Sequence, residues 1–189
     1  VQSISGRAAD NFSITLLSGT NFAHNGARAS SGGAVEYGPH IANLSRNVIF
    51  KSANASGTRG HSVITGHGDA IVKDTLFRDL SRTTTSGLDN TTFDLSGNVT
   101  HYGTNQIGKY PLHFHHCGGR EVQASGYQFT VVNCAVDGGD GEHLNKWGFT
   151  VHGTHWGLVE NCVVYNGVGA WFVLEDGTET ENKIQNNIS

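Results

Sequence analysis

Methionine is missing altogether, proline occurs twice, and charged side chains make up only 15% of the residues. The formal net charge is -4, so the chain lacks the basic footprint that nucleic-acid binding requires. No stretch approaches the ~18 consecutive apolar residues of a membrane span. No signal-peptide pattern opens the chain. It begins VQSISGRAAD and ends QNNIS part-way through a repeat, which reads as a processed or truncated piece of a longer protein. The cysteines are Cys117, Cys134 and Cys162, an odd number that excludes a complete internal disulfide framework. At 189 residues the chain suits one domain.

What is abundant is glycine, at 26 residues, with asparagine, serine and threonine beside it. Such a chain turns often. Sequons at Asn11, Asn43, Asn54, Asn90, Asn98 and Asn187 permit a secreted origin, although this composition also generates them by chance. Self-similarity is more telling. The segments GHSVITGHGDAIVKDTLFRD, PLHFHHCGGREVQASGYQFTVVNCAV, GFTVHGTHWGLVENCVVYNG and AWFVLEDGTETENKIQNNIS share one form. Each has a short β-prone run, then Gly, then a second short run around Asn or Asp. Asp74, Asn133, Asn161 and Asn186 align, the last two intervals being 28 and 25 residues. LSRNVIFKS reads as part of an earlier rung. The runs are too short for amphipathic helices and rich in Val, Ile, Phe and Thr. An all-β parallel β-helix is expected over residues 35–189, with a loop-like insertion at about 83–108. Residues 1–34 read as an irregular N-terminal segment or the remnant of an upstream rung.

Side chains alternate between the faces of a strand. Ile64, Leu112, Phe114, Phe149, Val151, Phe172 and Leu174 are expected inside. The opposite parity puts His61, Thr65, His67, His113, His115, Thr150, His152, Val173 and Glu175 outside. With strands ~4.8 Å apart, His67, His115, His152 and Glu175 fall at one position on successive rungs, beside His113. Imidazoles with a carboxylate suit Zn, Cu, Ni, Fe or Mn better than Ca. The metal set is therefore His67, His113, His115, His152 and Glu175, with His61 in reserve; the alternative is a solvent-facing polar ladder. His24, His40, His101 and His143 read as turn residues, His116 as an inward core histidine and His155 as a rim residue. Cys117 shares the parity of His113 and is either a soft ligand or a buried thiol. Cys134 and Cys162 should stack on adjacent rungs, as a disulfide or as two thiols. Asn133, Asn161 and Asn186 should close turns.

The motifs IGKYPLHFHHCGG and FTVHGTHWGLVENCVVYNGVGAWFVLEDGTETEN, with NLSRNVIF, RGHSVITGHG and LFRDLSRT in order before them, carry a resemblance. Together they resemble the β-helix region of the cell-migration-inducing, hyaluronan-binding proteins. That family includes a transmembrane hyaluronidase-like relative, fibrocystin-like receptors and bacterial secreted proteins. The resemblance runs from about Val35 to Ser189. It implies a right-handed parallel β-helix and an extracellular or cell-surface setting. It also implies hyaluronan binding or depolymerisation, with calcium as a cofactor. The Gly-rich β domain usual upstream is not recognisable in the first 34 residues, and the Thr83–Gly108 insertion is longer than the animal link.

The first function expected is thus a hyaluronidase-like, glycan-active enzyme with His115, His152 and Glu175 catalytic. Lys109, Arg82 and Arg120 would meet uronate carboxylates, and Tyr110, Trp147, Trp156 and Trp171 would stack on sugars. Glu175 and Asp176 have opposite parity and make a poor catalytic pair. The alternatives are a noncatalytic glycan-binding or adhesion module and, third, a metal-dependent oxidoreductase.

Overall fold

The computed structural model describes residues 42–83, 91–101, 108–118, 126–139 and 146–189, with residue 18 and four short strands before them. His24, His40, His143 and Arg120 lie outside the described residues. The chain divides into two compact units, Val1–Ile41 and Ala42–Ser189. In the first, β1 (Ser3–Ala8) pairs antiparallel with β2 (Asn11–Thr15), and β3 (Ala27–Arg28) with β4 (Val35–Tyr37).

The second unit is built from strands of two to six residues: β5 (Val48–Lys51), β6 (Val63–Gly66), β7 (Ala70–Lys73), β8 (Thr75–Arg78), β9 (Thr92–Phe93), β10 (Val99–His101), β11 (Leu112–Cys117), β12 (Phe129–Val132), β13 (Ala135–Asp137), β14 (Phe149–His152), β15 (Gly157–Glu160), β16 (Val163–Tyr165), β17 (Phe172–Leu174) and β18 (Lys183–Gln185). Strands β9 and β10 form an antiparallel hairpin between β8 and β11. The rest make three four-stranded sheets, ordered β17-β14-β11-β6, β18-β15-β12-β7 and β16-β13-β8-β5. Every pairing within these three sheets is parallel. The chain thus visits the sheets in rotation, one strand in each per turn, and every turn stacks on the one before. Among the described residues there is no helix.

The corners explain the asparagines. Asp74, Asn133, Asn161 and Asn186 stand at the bend after β7, β12, β15 and β18, with φ of 49°, 55°, 53° and 55°. Asn and Asp tolerate this left-handed conformation better than other residues with a Cβ. The expected asparagine ladder is therefore a ladder of backbone bends.

Inside the coil, alternation in β11 and β14 buries Leu112, Phe114, Phe149 and Val151 to 2% exposure or less. Phe114 stacks on Phe129 of the next sheet, ring centroids 4.0 Å apart. Ile64 and Phe172 are partly buried against the same core. Leu174 corrects the expectation: it is 40% exposed, because it lies on β17, the edge strand of its sheet. Cys134 and Cys162 are buried free thiols donating to the carbonyls of Val132 (3.4 Å) and Glu160 (3.2 Å).

Candidate metal centre and its flanking pocket

The sheet formed by β6, β11, β14 and β17 carries the histidines. Its register pairs His113 with Thr150 and His115 with His152. It also pairs Thr150 with Val173 and Val151 with Leu174, so Glu175 follows on beside His152 and donates its backbone N–H to Val151. That part of the expected column stands in the structure. His67 does not join it. His113 pairs with Val63 and His115 with Thr65, and the register then slips so that Cys117 meets Gly66. The slip is a bulge at His116, whose φ is 48°. His67 thus lies past the end of β6, against Gly118, and Thr65 is the neighbour of His115.

The same bulge corrects the expectation for His116 and decides between the two readings of Cys117 in favour of the buried thiol. His116 is exposed rather than inward, and its ring lies 4.5 Å from those of His115 and His152. Cys117 is turned into the core at 1% exposure and donates to the carbonyl of Ile64, where burial pushes its thiol pKa up. A protonated thiol facing the core is no metal ligand.

Parity sends His113, Thr150 and Val173 away from the coil interior, yet their exposures are 3%, 0% and 8%. The segment entering β11 supplies a cover. Tyr110 is 1% exposed, lies edge-on to His113 at 4.9 Å and stacks on Trp147, which precedes β14, at 4.8 Å. The expected sugar-stacking role of Tyr110 is thereby corrected, because its ring is spent on this cover. Trp171 packs against the core and is partly buried. Trp156, φ 57°, stands at the bend into β15, a strand of a different sheet. Arg82 is half-buried and donates to the carbonyl of Arg59.

Beneath the cover three ligand atoms converge. His113 Nε2 lies 3.6 Å from Glu175 Oε2, and His152 Nδ1 lies 3.4 Å from the same oxygen. All three atoms lie within 4.8 Å of one another. Four ligands set tetrahedrally at ~2.0–2.2 Å from an ion are separated by roughly 3.3–3.6 Å. His113 Nε2 and Glu175 Oε2 are buried with no hydrogen-bond partner. Such orphans are rare and ask for an explanation.

The outer atoms of each group explain the aim. His113 Nδ1 is 3.0 Å from the Gly108 carbonyl, which can only accept, so Nδ1 carries the proton and a neutral ring presents a lone pair at Nε2. His152 Nε2 is 2.8 Å from Asp176 Oδ2, which leaves the other ring nitrogen, Nδ1, directed inward to Glu175. Tyr110 donates to Glu175 Oε1 at 3.3 Å, leaving Oε2 for the site. A carbonyl or carboxylate on the far nitrogen is the usual support of a metal-binding histidine. Burial foremost, with the neighbouring His115, His152 and His61, holds the His113 pKa down at about 4, so the ring is neutral at pH 7. Burial, with neighbouring His116 and His152, also lowers that of His115.

Asp176 was missed because alternation puts it opposite Glu175. It lies past the end of β17, where the backbone turns and alternation lapses; Glu179 holds that turn by accepting from the N–H groups of Gly153 (2.9 Å) and Asp176 (3.3 Å). A second group, His115, His116 and His152, also brings three ring nitrogens within 4.8 Å of one another but has no carboxylate and includes the exposed His116.

Beside the centre is a pocket of about 300 Å³, lined by His61, Val63, Thr65, Gly108, Lys109, His113 and His115. His61, the reserve ligand, and His115 therefore face this pocket.

A three-sheet parallel coil with a histidine–carboxylate cluster on one outer face defines the class. Comparison with known proteins narrows it. The family model described as CEMIP beta-helix matches residues 88–189, and the chain belongs to that family. Over 90 residues it is 36% identical to cell surface hyaluronidase CEMIP2 of Homo sapiens, covering 48% of this chain and 6% of that protein. It is 35% identical over 92 residues to fibrocystin-L of Mus musculus, covering 48% and 2%. A G8 domain-containing protein of Dictyostelium discoideum is 26% identical over 163 residues, 82% of this chain and 9% of that protein. The chain thus spans a small fraction of the length of these relatives. No solved structure matches.

Proposed function

We propose that this chain is part of an extracellular, right-handed parallel β-helix that depolymerises a hyaluronan-like polysaccharide, with a divalent transition-metal ion held by His113, His152 and Glu175. The observation that carries the metal is the convergence of two buried, unpartnered ligand atoms and His152 Nδ1, the two imidazole nitrogens lying 3.6 and 3.4 Å from Glu175 Oε2 and all three atoms within 4.8 Å of one another. The glycan reading is supported by similarity to proteins named as cell surface hyaluronidases and as hyaluronan-binding. Right-handedness is supported by the strong preference of parallel crossovers for that hand. The donor set, two imidazoles and one carboxylate, suits Zn²⁺ or a neighbouring transition ion better than Ca²⁺, which prefers all-oxygen shells.

In this reading Tyr110 and Gly108 orient Glu175 and His113, Asp176 orients His152, and His115 stands at the pocket wall beside the ion. The ion, when bound, would polarise a group on the sugar. The test is elemental analysis of chain purified without chelator, with the size distribution of hyaluronan followed on incubation. Near one equivalent of zinc-like metal and chain shortening, both lost in His152→Ala, are expected. Metal-free protein, or shortening that survives in that variant, contradicts the reading. Binding without turnover is the second reading. It is favoured by the depth of His113, 3% exposed, and would show as hyaluronan retention with no shortening.

A further inference from the structure

The pocket beside the metal centre has a one-sided chemistry. Among the described residues its lining contains one formally charged side chain, Lys109, and no carboxylate. The other polar side chains lining it are those of His61, Thr65, His113 and His115; the Thr65 hydroxyl and the imidazoles of His61 and His115 can donate hydrogen bonds, whereas the N–H of His113 is taken by Gly108. Among the described residues no carboxylate pairs with the Lys109 ammonium. The acids of the region are engaged elsewhere: Glu175 with His113, His152 and Tyr110, Asp176 with His152, and Asp79 with Arg59. Lys109 and the half-buried Arg82 both act on His61, whose pKa is lowered by burial first and by these two cations next.

Lys109 is held where it is by its backbone. Its N–H donates to Thr83 Oγ1 at 2.9 Å, and its carbonyl accepts from the N–H of Arg82 at 3.1 Å. The preceding Gly108, φ 73°, gives the carbonyl that fixes His113. One short segment therefore orients a metal-centre histidine and delivers a cation to the adjoining pocket. A volume of about 300 Å³ is at the lower end for a small-ligand site, which suits one sugar unit rather than a long stretch of polymer.

We propose that this pocket is an acidic-sugar subsite in which Lys109 holds the carboxylate of a uronic acid unit, so that Lys109 sets the preference for acidic over neutral glycans. This rests on the glycan reading above. It adds the residue that selects charge, and it does not depend on whether the chain cleaves or only binds. Lys109 acts here as a point charge, and a sulfate could satisfy it too. The arms of the test separate the two.

The measurement is calorimetric titration of the full chain with three probes. These are a glucuronate-containing oligosaccharide without sulfate, the same oligosaccharide with its carboxyls reduced to alcohols, and a sulfated oligosaccharide lacking uronate. The first is expected to bind about 10- to 100-fold more tightly than the second, the range for one charge-assisted contact. Lys109→Met should erase that difference and Lys109→Arg should keep most of it, with metal content unchanged in both. Equal binding of the acidic and reduced probes, or a difference that survives in Lys109→Met, overturns the subsite while leaving the glycan reading intact. Tighter binding of the sulfated probe than of the uronate overturns the carboxylate assignment. Failure of all three probes to bind contradicts the glycan reading itself.

Discussion

The two faces of β11 differ in what buries them. Phe114 faces inward and is 1% exposed because the coil closes around it. His113, the adjacent residue, faces outward and is almost as deep at 3%, because Tyr110 lies over it. On the inner face, burial follows from local alternation and yields an apolar core. On the outer face, burial depends on one covering segment and encloses polar atoms without partners. The inner face makes the fold stable, and the outer face makes a site.

The largest effect separating the two should come from truncating the inner face. Phe114→Ala removes a ring stacked on Phe129 and should cost about 3–5 kcal/mol in chemical denaturation, the usual range for a buried Phe. A cost below about 1 kcal/mol would mean that the core is not where this register puts it.

Acid should act on the outer face. In metal-free protein His113 titrates at about 4 when folded, against 6.5 for an ordinary histidine. Above pH 6.5 the ring is neutral in both states and contributes no slope. Between 6.5 and about 4 the unfolded chain binds a proton that the folded chain refuses, so stability falls as pH falls. The slope is ~1.4 kcal/mol per pH unit at most and the loss on the order of 3 kcal/mol. His113→Gln should flatten that part of the profile; an unchanged slope would mean that the ring is open to water.

A smaller loss is expected from Tyr110→Phe, which keeps the cover but removes the hydrogen bond to Glu175. About 1.5 kcal/mol is expected, the low end for a charged acceptor. The smallest effect belongs to His67→Ala. Its ring lies outside the strand register, so stability should move by less than ~0.5 kcal/mol and metal content not at all. Metal loss in that variant would restore the column that the bulge at His116 breaks.

How much of this was legible depends on what kind of information placed each residue. The neighbours His115, His152 and Glu175 were readable because period-two alternation and the aligned asparagines fix them. The bends at Asp74, Asn133, Asn161 and Asn186 were readable for the same reason, since few other residues accept that conformation. His67 and His116 were misplaced together, and so was the outward parity of Cys117, although a buried thiol was one of its two readings. One left-handed residue, His116, shifts everything after it by one place, and nothing in HFHHC marks it. The burial of Tyr110 was not readable, because Trp147 and Glu175, its partners, lie far along the chain. Asp176 was lost because alternation was carried past the end of the strand. Lys109 was legible as a candidate contact for a uronate carboxylate, but only the pocket shows that, among the described residues, no carboxylate shares the lining with it.

The most direct test of the metal centre is diffraction from crystals grown without chelator, with anomalous data collected on either side of the zinc absorption edge. The account predicts one anomalous peak, about 2.0–2.2 Å from His113 Nε2, His152 Nδ1 and Glu175 Oε2. A peak seated instead among His115, His116 and His152, or the absence of any peak with both orphaned atoms hydrogen-bonded to water, would contradict it.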